Sequence, residues 1–466
     1  MKKLGILFFA ALLVVAFTLP AAAVETTIGG YWRTRAYSLN NFTGEDQSEE
    51  FDITEVDTRT RLYLTTVIND NLKLVNKFEM DASWGLNYAD IGSDGKGILE
   101  IKNSYADFNI GSVNAKLGIQ SACLARGFLF CDDFAGAKIT FNGEGFSVPF
   151  YWIKAHEGGW GKDANDSDVD YFLLDPTFNV GDKVTVNPHF MWATSDDISA
   201  YNPEFHFATP QGPWSSWNGE GFYVNDIEGA TSVDFADMDI YFLGLSLDAD
   251  LGFASVWFTG IYETGSVDIK DSPITSVDIS AYLAAFGASA DVGPASVHGQ
   301  FFYASGQDLE GTDVDSDLEA FWVPSQGYWY GQSYYWAEIM GYGTLDQVVS
   351  NGSPQDKISN VMAANIGATF KPMDKLSLNL DLWWAKLAED DFTGESDLGT
   401  EIDVNVNYEL IEGLNLTLVG AYLFAGDRTT ASTYMIPGDD PGFYSNGQWE
   451  NDANPYELAA QLSLSF

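Results

Sequence analysis

Charged residues at alternate positions are the side chains in this sequence whose spacing points most clearly to chemistry. Arg33 and Arg35 alternate with Trp32, Thr34 and Ala36. In a β-strand successive side chains point to opposite faces, so both guanidinium groups would lie on one face. Fixed charges of this kind attract, orient or repel charged solutes without forming covalent bonds. The same alternation predicts further pore-lining residues on other strands, namely Arg59, Arg61, Lys73, Lys77, Lys102, Lys116, Asp381, Asp403 and Glu409.

The opposite face of these strands is apolar. Leu72, Leu74 and Phe78 alternate with Lys73 and Lys77. A Lys or Arg that faced lipid at mid-membrane would destabilise a barrel by roughly 2–4 kcal/mol, so we expect the charges to face a lumen. A basic sector opposite acidic walls would create a transverse field that filters solutes by charge. The alternative is that these charges only hydrate a wide lumen.

No pattern in the sequence predicts catalysis or a metal centre. The four histidines are scattered without metal-ligand spacing, and no Ser–His or Asp–His arrangement is apparent. We therefore predict that the protein is not an enzyme and has neither catalytic residues nor metal ligands.

One segment has a partial match to a calcium-binding loop. Asp313, Asp315 and Asp317 have the spacing of its first ligands. Leu318 stands where that loop needs glycine, and Pro324 where it needs glutamate. We expect no cofactor, with weak surface calcium binding as the alternative.

The chain has two cysteines, Cys123 and Cys131. In an oxidising compartment they could form one disulfide that closes a short loop. Free thiols are the alternative, and the spacing excludes a CxxC redox motif.

The overall composition is strongly acidic. The chain has 22 basic and 67 acidic residues, a net charge of −45. Nucleic acids are bound through clustered Lys and Arg, so we expect no nucleic-acid partner. After residue 23 no uninterrupted apolar run is long enough for a membrane helix. A 46% hydrophobic content spread over alternating positions, with 15% aromatic residues, instead suits a β-barrel with aromatic girdles.

Both ends of the chain fit a secreted barrel. Lys2 and Lys3 precede an apolar run that continues to Leu19, and small residues follow up to Ala23. This pattern predicts a signal peptide over residues 1–23 and a single barrel domain over residues 24–466. The last eleven residues alternate apolar and polar side chains and end on Phe466.

Alternation and turn residues predict an all-β fold, a transmembrane antiparallel β-barrel of about eighteen strands. Short turns alternate with long loops, and both termini lie on the side of the short turns, which would be periplasmic. Pro149 and Pro188 each remove a ladder donor from a predicted strand, so sixteen strands is the alternative. The predicted strands begin near Thr27, Glu55, Leu72, Ile98, Val113, Phe134, Phe146, Asp168, Val184, Phe235, Ala254, Ser276, Ala295, Ile358, Leu376, Gly399, Leu414 and Asn454.

One long loop is rich in aromatic residues. It contains Tyr334, Tyr335 and Trp336, shortly after a Tyr-Trp-Tyr run at 328–330. Aromatic platforms stack on sugar rings, so a carbohydrate-contacting loop is one hypothesis. The favoured hypothesis is a loop that packs its own small core over the barrel mouth.

Residues 117–139 resemble the strand–loop–strand of the alginate-export family and related porins. The resemblance implies an eighteen-stranded barrel with an Arg-lined lumen that acts as a passive channel. Ile119 stands where arginine is common in that family. The matching residues are Gly118, Gln120, Asp133, Phe134, Gly136 and Lys138.

The sequence therefore predicts an outer-membrane porin of a Gram-negative bacterium that passes ions and small hydrophilic solutes. The alternatives are a selective channel for saccharide uptake or polysaccharide export, and a non-conducting structural or adhesive barrel. Expected partners are outer-membrane lipid and lipopolysaccharide. The strand ending in Phe466 resembles the C-terminal signal of outer-membrane proteins, which implies recognition by the barrel assembly machinery. Resemblance to porins implies a monomer or a homotrimer.

Overall fold

A computed structural model describes most of the chain after the predicted signal peptide. The described residues are 24–41, 53–85, 99–158, 168–196, 235–269, 276–306, 318–324, 334–341, 343, 358–390, 395–432, 449–450 and 454–466. The predicted signal peptide, the calcium-like aspartates, His206 and residues 328–330 lie outside them. No helix among the described residues is long or apolar enough to cross a membrane.

The described residues form eighteen antiparallel strands in chain order. The strands are β1 Glu25–Asn40, β2 Ile53–Asn69, β3 Leu72–Ser83, β4 Glu100–Ile110, β5 Val113–Leu124, β6 Phe130–Gly143, β7 Phe146–His156, β8 Val169–Leu174 with Thr177–Val180, β9 Val184–Ser195, β10 Phe235–Asp250, β11 Ser255–Ile269, β12 Ser276–Val292, β13 Ala295–Ala304, β14 Val361–Met373, β15 Leu376–Lys386, β16 Asp397–Ile411, β17 Leu414–Ala425 and β18 Tyr456–Ser465. A short helix α1, Asp427–Thr430, and two two-residue strands, Ala431–Ser432 and Trp449–Glu450, follow β17.

The sheet is closed. Each strand pairs with its neighbours in sequence, and β1 pairs with both β2 and β18. Closure extends to the last residue, because Gly30 and Phe466 exchange backbone hydrogen bonds of 2.8 and 3.1 Å. A closed sheet leaves no strand edge, which is the condition for a sheet to cross a membrane.

The eighteen-stranded barrel is confirmed, and most predicted strand starts agree with the structure to within two residues. The larger differences are that β6 begins at Phe130 rather than Phe134, and β14 at Val361 rather than Ile358. The strand side chains alternate as expected, with large apolar residues exposed on the outer face. Leu243 on β10 is 51% exposed, whereas its neighbour Phe242 is fully buried inside the barrel.

Prolines interrupt the wall without reducing the strand number. β8 is broken at Asp175 and Pro176, at the height where Pro149 on β7 and Pro188 on β9 also lack a backbone donor. Side chains compensate, because the Asn187 amide donates to the Pro176 carbonyl at 2.6 Å and to Asp175 at 3.2 Å. The break therefore belongs to one membrane-crossing strand in two pieces, and sixteen strands is excluded.

The top of the β5–β6 hairpin leaves the wall. β5 pairs with β4 only up to Ile119, and β6 pairs with β7 only from Ala135. Residues 120–124 pair only with residues 130–134. We call the segment 120–134 the inward hairpin. Gly118 and Gly136 lie opposite each other at its base.

These two glycines are needed for close backbone approach. A Cβ at Gly118, whose φ is +131°, would lie 2.2 Å from the Ser104 carbonyl oxygen on β4. A Cβ at Gly136 would lie 1.9 Å from the Trp152 carbonyl oxygen on β7. The hairpin can bend away from the wall here because no side chain separates the strands.

We expect Gly136→Ala to destabilise the barrel by roughly 3 kcal/mol, because the new methyl group forces β6 and β7 apart. The urea concentration at which half of the protein is unfolded measures this effect. Folded and unfolded protein are distinguished by their mobility in a gel. Ala135→Val is the matched control, since Ala135 is exposed on the outer face. Equal midpoints for the two variants would contradict the role assigned to Gly136.

Candidate pore and the elements folded into it

The predicted arginines of β1 and β2 lie inside the barrel, where carboxylates bind Arg35, Arg59 and Arg61. Arg35 Nε lies 2.6 Å from Asp57, and Arg59 makes a two-pronged contact with Asp81 at 2.7 and 2.6 Å. Arg61 pairs with Glu79, which is itself buried. Arg33 and Arg35 are only 5% and 3% exposed, so these two are packed into the wall and are not open to a passing solute.

The lysines of β3 to β6 remain closer to water. Among the described residues, Lys77, Lys116 and Lys138 form no ion pair. Each instead lies over a tyrosine ring, with nitrogen-to-centroid distances of 5.2, 5.3 and 5.0 Å. Cation–π contact orients an ammonium group but leaves its charge uncompensated. Lys138 was absent from the predicted pore-lining set, although its alternation with Ala137 and Ile139 could have identified it.

The two remaining predicted lysines differ from each other. Lys102 lies at a bulge in β4 and contacts Asp133 at 2.9 Å. Lys73 lies opposite Asp107 near the short-turn end and makes no ion pair among the described residues.

The predicted acids lie on β15 and β16, three to four strands from β1 in the closed sheet, and two of the three are deeply placed. Asp381 accepts hydrogen bonds from Asn365 at 2.8 Å and contacts His298 Nε2 at 2.7 Å. Asp403 lies opposite Asp381 in the ladder and is 3% exposed. Glu409 lies near the short-turn end, 3.9 Å from Lys375. Asp381 and Asp403 are thus part of packed networks and not free charges in open water.

The inward hairpin crosses the lumen. Arg126 at its tip pairs with Asp248 on β10, and its guanidinium carbon lies 4.6 Å from the ring centroid of Trp257 on β11. Phe128 stacks on Tyr334 at 3.9 Å. A hairpin that begins between β5 and β6 and touches β10 and β11 necessarily narrows the passage through the barrel.

A disulfide closes this hairpin. Cys123 and Cys131 lie directly opposite each other, and the structure joins them. Closing so short a loop stabilises the folded hairpin by roughly 2–3 kcal/mol in the chain-entropy model. A cavity of about 450 Å³ separates this face of the hairpin from Arg61, Lys77 and Lys102 on the wall.

Two segments of the β13–β14 loop, residues 318–324 and 334–341, also fold inside. Trp322 packs against Phe242 on β10, with ring centroids 6.0 Å apart, and Trp336 packs against Trp383 on β15 at 5.2 Å. Tyr334 donates to Gln300 at 2.8 Å, and burial raises the pKa of Tyr334 to about 12, so the donor stays protonated at neutral pH. Tyr334 and Trp336 thus pack inside the barrel against the wall and the inward hairpin, whereas the favoured hypothesis for the aromatic loop placed a small core of its own over the barrel mouth.

Wall carboxylates anchor these segments through the loop backbone. Glu401 on β16 accepts the N–H groups of Ile339 at 2.6 Å and Met340 at 2.9 Å. Asp403 accepts the N–H of Glu338 at 3.3 Å, and Glu263 on β11 accepts that of Trp322 at 2.9 Å. Buried backbone donors that lack a ladder partner need acceptors of this kind.

Besides Lys138, sequence reasoning missed three further residues that shape the lumen. Glu401 shares a strand face with Asp403, two positions away, so alternation offered a signal for it. Arg126 and Glu263 offered none, because their partners are distant in sequence and depend on how the loops fold.

The lumen has two unlike sides. Many inward residues on β10 to β13 are apolar and buried under the loop core, including Ile240, Phe242, Leu283 and Phe302, although the polar Thr259 and Glu263 are buried there too. On β2 to β6 many inward residues are charged and partly accessible, as with Arg61 and Lys102, whose side chains are 32% and 33% exposed. Water and solutes would therefore find their path along this second side, which we call the basic wall after its lysines.

Comparison with known proteins supports the fold. No family model matches the sequence, and no curated protein does either. OccK8 (OprE) of Pseudomonas aeruginosa matches with a TM-score of 0.53 and 11% identity, over 95% of this chain and 98% of that one. OccAB1 of Acinetobacter baumannii matches with a TM-score of 0.54 and 11% identity, over 95% of this chain and 97% of that one.

At such low identity the likeness shows the fold alone, a closed eighteen-stranded antiparallel barrel like those of outer-membrane porin structures. The matched structures do not support the narrower resemblance to the alginate-export family. That resemblance remains a prediction from the hairpin motif.

We expect Glu401→Gln to loosen the 338–340 turn, since one of the two acceptor oxygens becomes a donor that repels an N–H. The lost hydrogen bond is worth roughly 1–3 kcal/mol, which corresponds to about 5-fold to 150-fold faster amide exchange at Ile339 and Met340. Hydrogen exchange read by mass spectrometry measures it. Glu409→Gln is the control, because the contacts of Glu409 within the described part of the chain are with Lys375 at the short-turn end and not with the 338–340 turn. Unchanged exchange in Glu401→Gln would contradict the anchoring role.

Proposed function

We propose that this chain is an outer-membrane porin of a Gram-negative bacterium, through which ions and small hydrophilic solutes diffuse passively. The observation that carries the proposal is the asymmetric lumen, largely apolar and filled beside β10 to β13 but charged and partly accessible along β2 to β6. A barrel that served only as a scaffold has no need of uncompensated ammonium groups such as those of Lys77 and Lys116 on its inner face. Charged groups beside a restricted passage are the usual means by which pores admit polar solutes and select among them.

The inward hairpin and the loop core favour a narrow passage over a wide one. Arg126 pairs with Asp248 across the lumen, and Phe128 is fully buried against Tyr334. This narrowing gives specific support to the second candidate function, a channel selective for one class of solute such as a saccharide. The burial of Tyr334 and Trp336 argues against those two rings as an open sugar platform.

The proposal includes the route by which such a protein reaches its membrane. Residues 1–23 act as a signal peptide, and the C-terminal strand ending in Phe466 is recognised by the barrel assembly machinery. In the membrane the outer face contacts lipid and lipopolysaccharide, and the protein is a monomer or a homotrimer. The broad apolar outer face, with residues such as Leu243 and Ile366 more than half exposed, supports the lipid contact.

Single-channel recording in a planar bilayer tests the channel function. We expect stable open steps from the folded protein, because the basic wall leaves a hydrated path past the hairpin. A correctly folded barrel that gives no steps would overturn the proposal in favour of a non-conducting barrel. Block of the current by added saccharide would favour the selective channel.

A lysine substitution tests how the charge along the solute path affects ion selectivity. Lys116→Gln removes an uncompensated ammonium group from the basic wall, so we expect the anion-to-cation permeability ratio to fall by about twofold. The reversal potential under a salt gradient measures that ratio. Lys371→Gln removes the same charge at the exposed short-turn end of β14 and should leave the ratio unchanged. An equal shift in both variants would place the selective charges elsewhere.

A further inference from the structure

The disulfide of the inward hairpin differs from a buried structural bridge in its surroundings. Cys123 is exposed, whereas Cys131 is half-buried. Both line the cavity of about 450 Å³ between the hairpin and the wall. The β5 edge of the hairpin would pair with β4 if the hairpin stayed in the sheet, but the two strands part above Ile119, and residues of both strands line the cavity.

The cavity also carries charges suited to thiol chemistry. Arg61, Lys77 and Lys102 line it from the wall, and Asp132 and Asp133 line it from the hairpin. Lys102 is paired with Asp133, while Lys77 has no ion pair among the described residues. Cationic side chains near sulfur stabilise thiolates, which are both the attacking and the leaving species in exchange with a disulfide.

We propose that the Cys123–Cys131 disulfide is an exchange site for small-molecule thiols that enter this cavity. A thiolate RS⁻ attacks Sγ of the exposed Cys123, forming a new S–S bond as the Cys123–Cys131 bond breaks. The electron pair leaves on Sγ of Cys131, which becomes a thiolate and can take a proton from water. The products are a mixed disulfide on Cys123 and a free Cys131, with no net oxidation or reduction.

The site selects thiols by their size. The cavity has room for a thiol of a few atoms and lies inside the barrel, between the wall and the hairpin. A protein thiol is too large to enter a lumen that the hairpin narrows through its Arg126–Asp248 and Phe128–Tyr334 contacts. Exchange would release the covalent closure of the hairpin while those noncovalent contacts remain, so the constriction would become looser without being lost.

The test treats the full chain, folded in detergent micelles, with 2-mercaptoethanol or with the same concentration of a thiol attached to a polyethylene glycol chain of protein size. Peptide mass spectrometry then quantifies the mixed disulfide at Cys123. We expect the small thiol to react at least about 10-fold faster than the large one on the folded barrel, and both to react similarly once the protein is unfolded. Equal rates on the folded barrel, or no adduct with either thiol before unfolding, would overturn the proposal.

A pair of variants tests whether the cavity is the route. Ser121→Trp places a large side chain in the cavity, because Ser121 lines it, and should slow the small thiol about 10-fold. Ser112→Trp makes the same change at the exposed β4–β5 turn and should leave the rate unaltered. An unaltered rate in Ser121→Trp, with the barrel folded, would refute entry through the cavity. Because the adduct is measured directly, these outcomes do not depend on whether the barrel conducts.

Discussion

Backbone hydrogen bonding in a lipid environment is the constraint on which the rest of this structure depends. Lipid offers no partner for a free N–H or C=O group, so the sheet must close on itself, as β1 does with β18. Every segment that leaves the ladder must then find its partners inside the barrel. The loop amides of Glu338, Ile339 and Met340 do so on the carboxylates of Glu401 and Asp403, which explains why acids lie at positions that look like simple pore lining.

The barrel wall could be predicted from the sequence because the features that determine it are local or periodic. Alternation along a strand shows which face meets lipid, and turn residues show where the chain reverses. Those two patterns predict about eighteen strands and the side of the wall on which Arg33 or Lys77 lies. Whether Pro149 and Pro188 reduce the number of strands could be answered only from the structure, because the Asn187 amide that replaces a missing backbone donor acts between strands.

The interior was much less predictable. Nothing periodic marks Arg126 as the partner of Asp248, which is 122 residues away. Gly118 and Gly136 belong to the strand–loop–strand motif of residues 117–139. Their physical role, which is to let the inward hairpin bend away from the wall, depends on backbone contacts with β4 and β7. Predicted pore residues therefore include some, such as Arg35 and Asp403, that are packed away from any solute. Side-chain direction follows from alternation, whereas accessibility depends on which loops cover the wall.

The aligned prolines of β7, β8 and β9 have a consequence for the barrel as a mechanical object. At that height three neighbouring strands lack backbone donors at their prolines, and side chains such as Asn187 and His189 carry part of the connection to β8. Such side-chain hydrogen bonds join the strands at single points, whereas a continuous ladder joins them along their length. When heat or force unfolds the barrel, we therefore expect the strands to separate first at this height, beside β8.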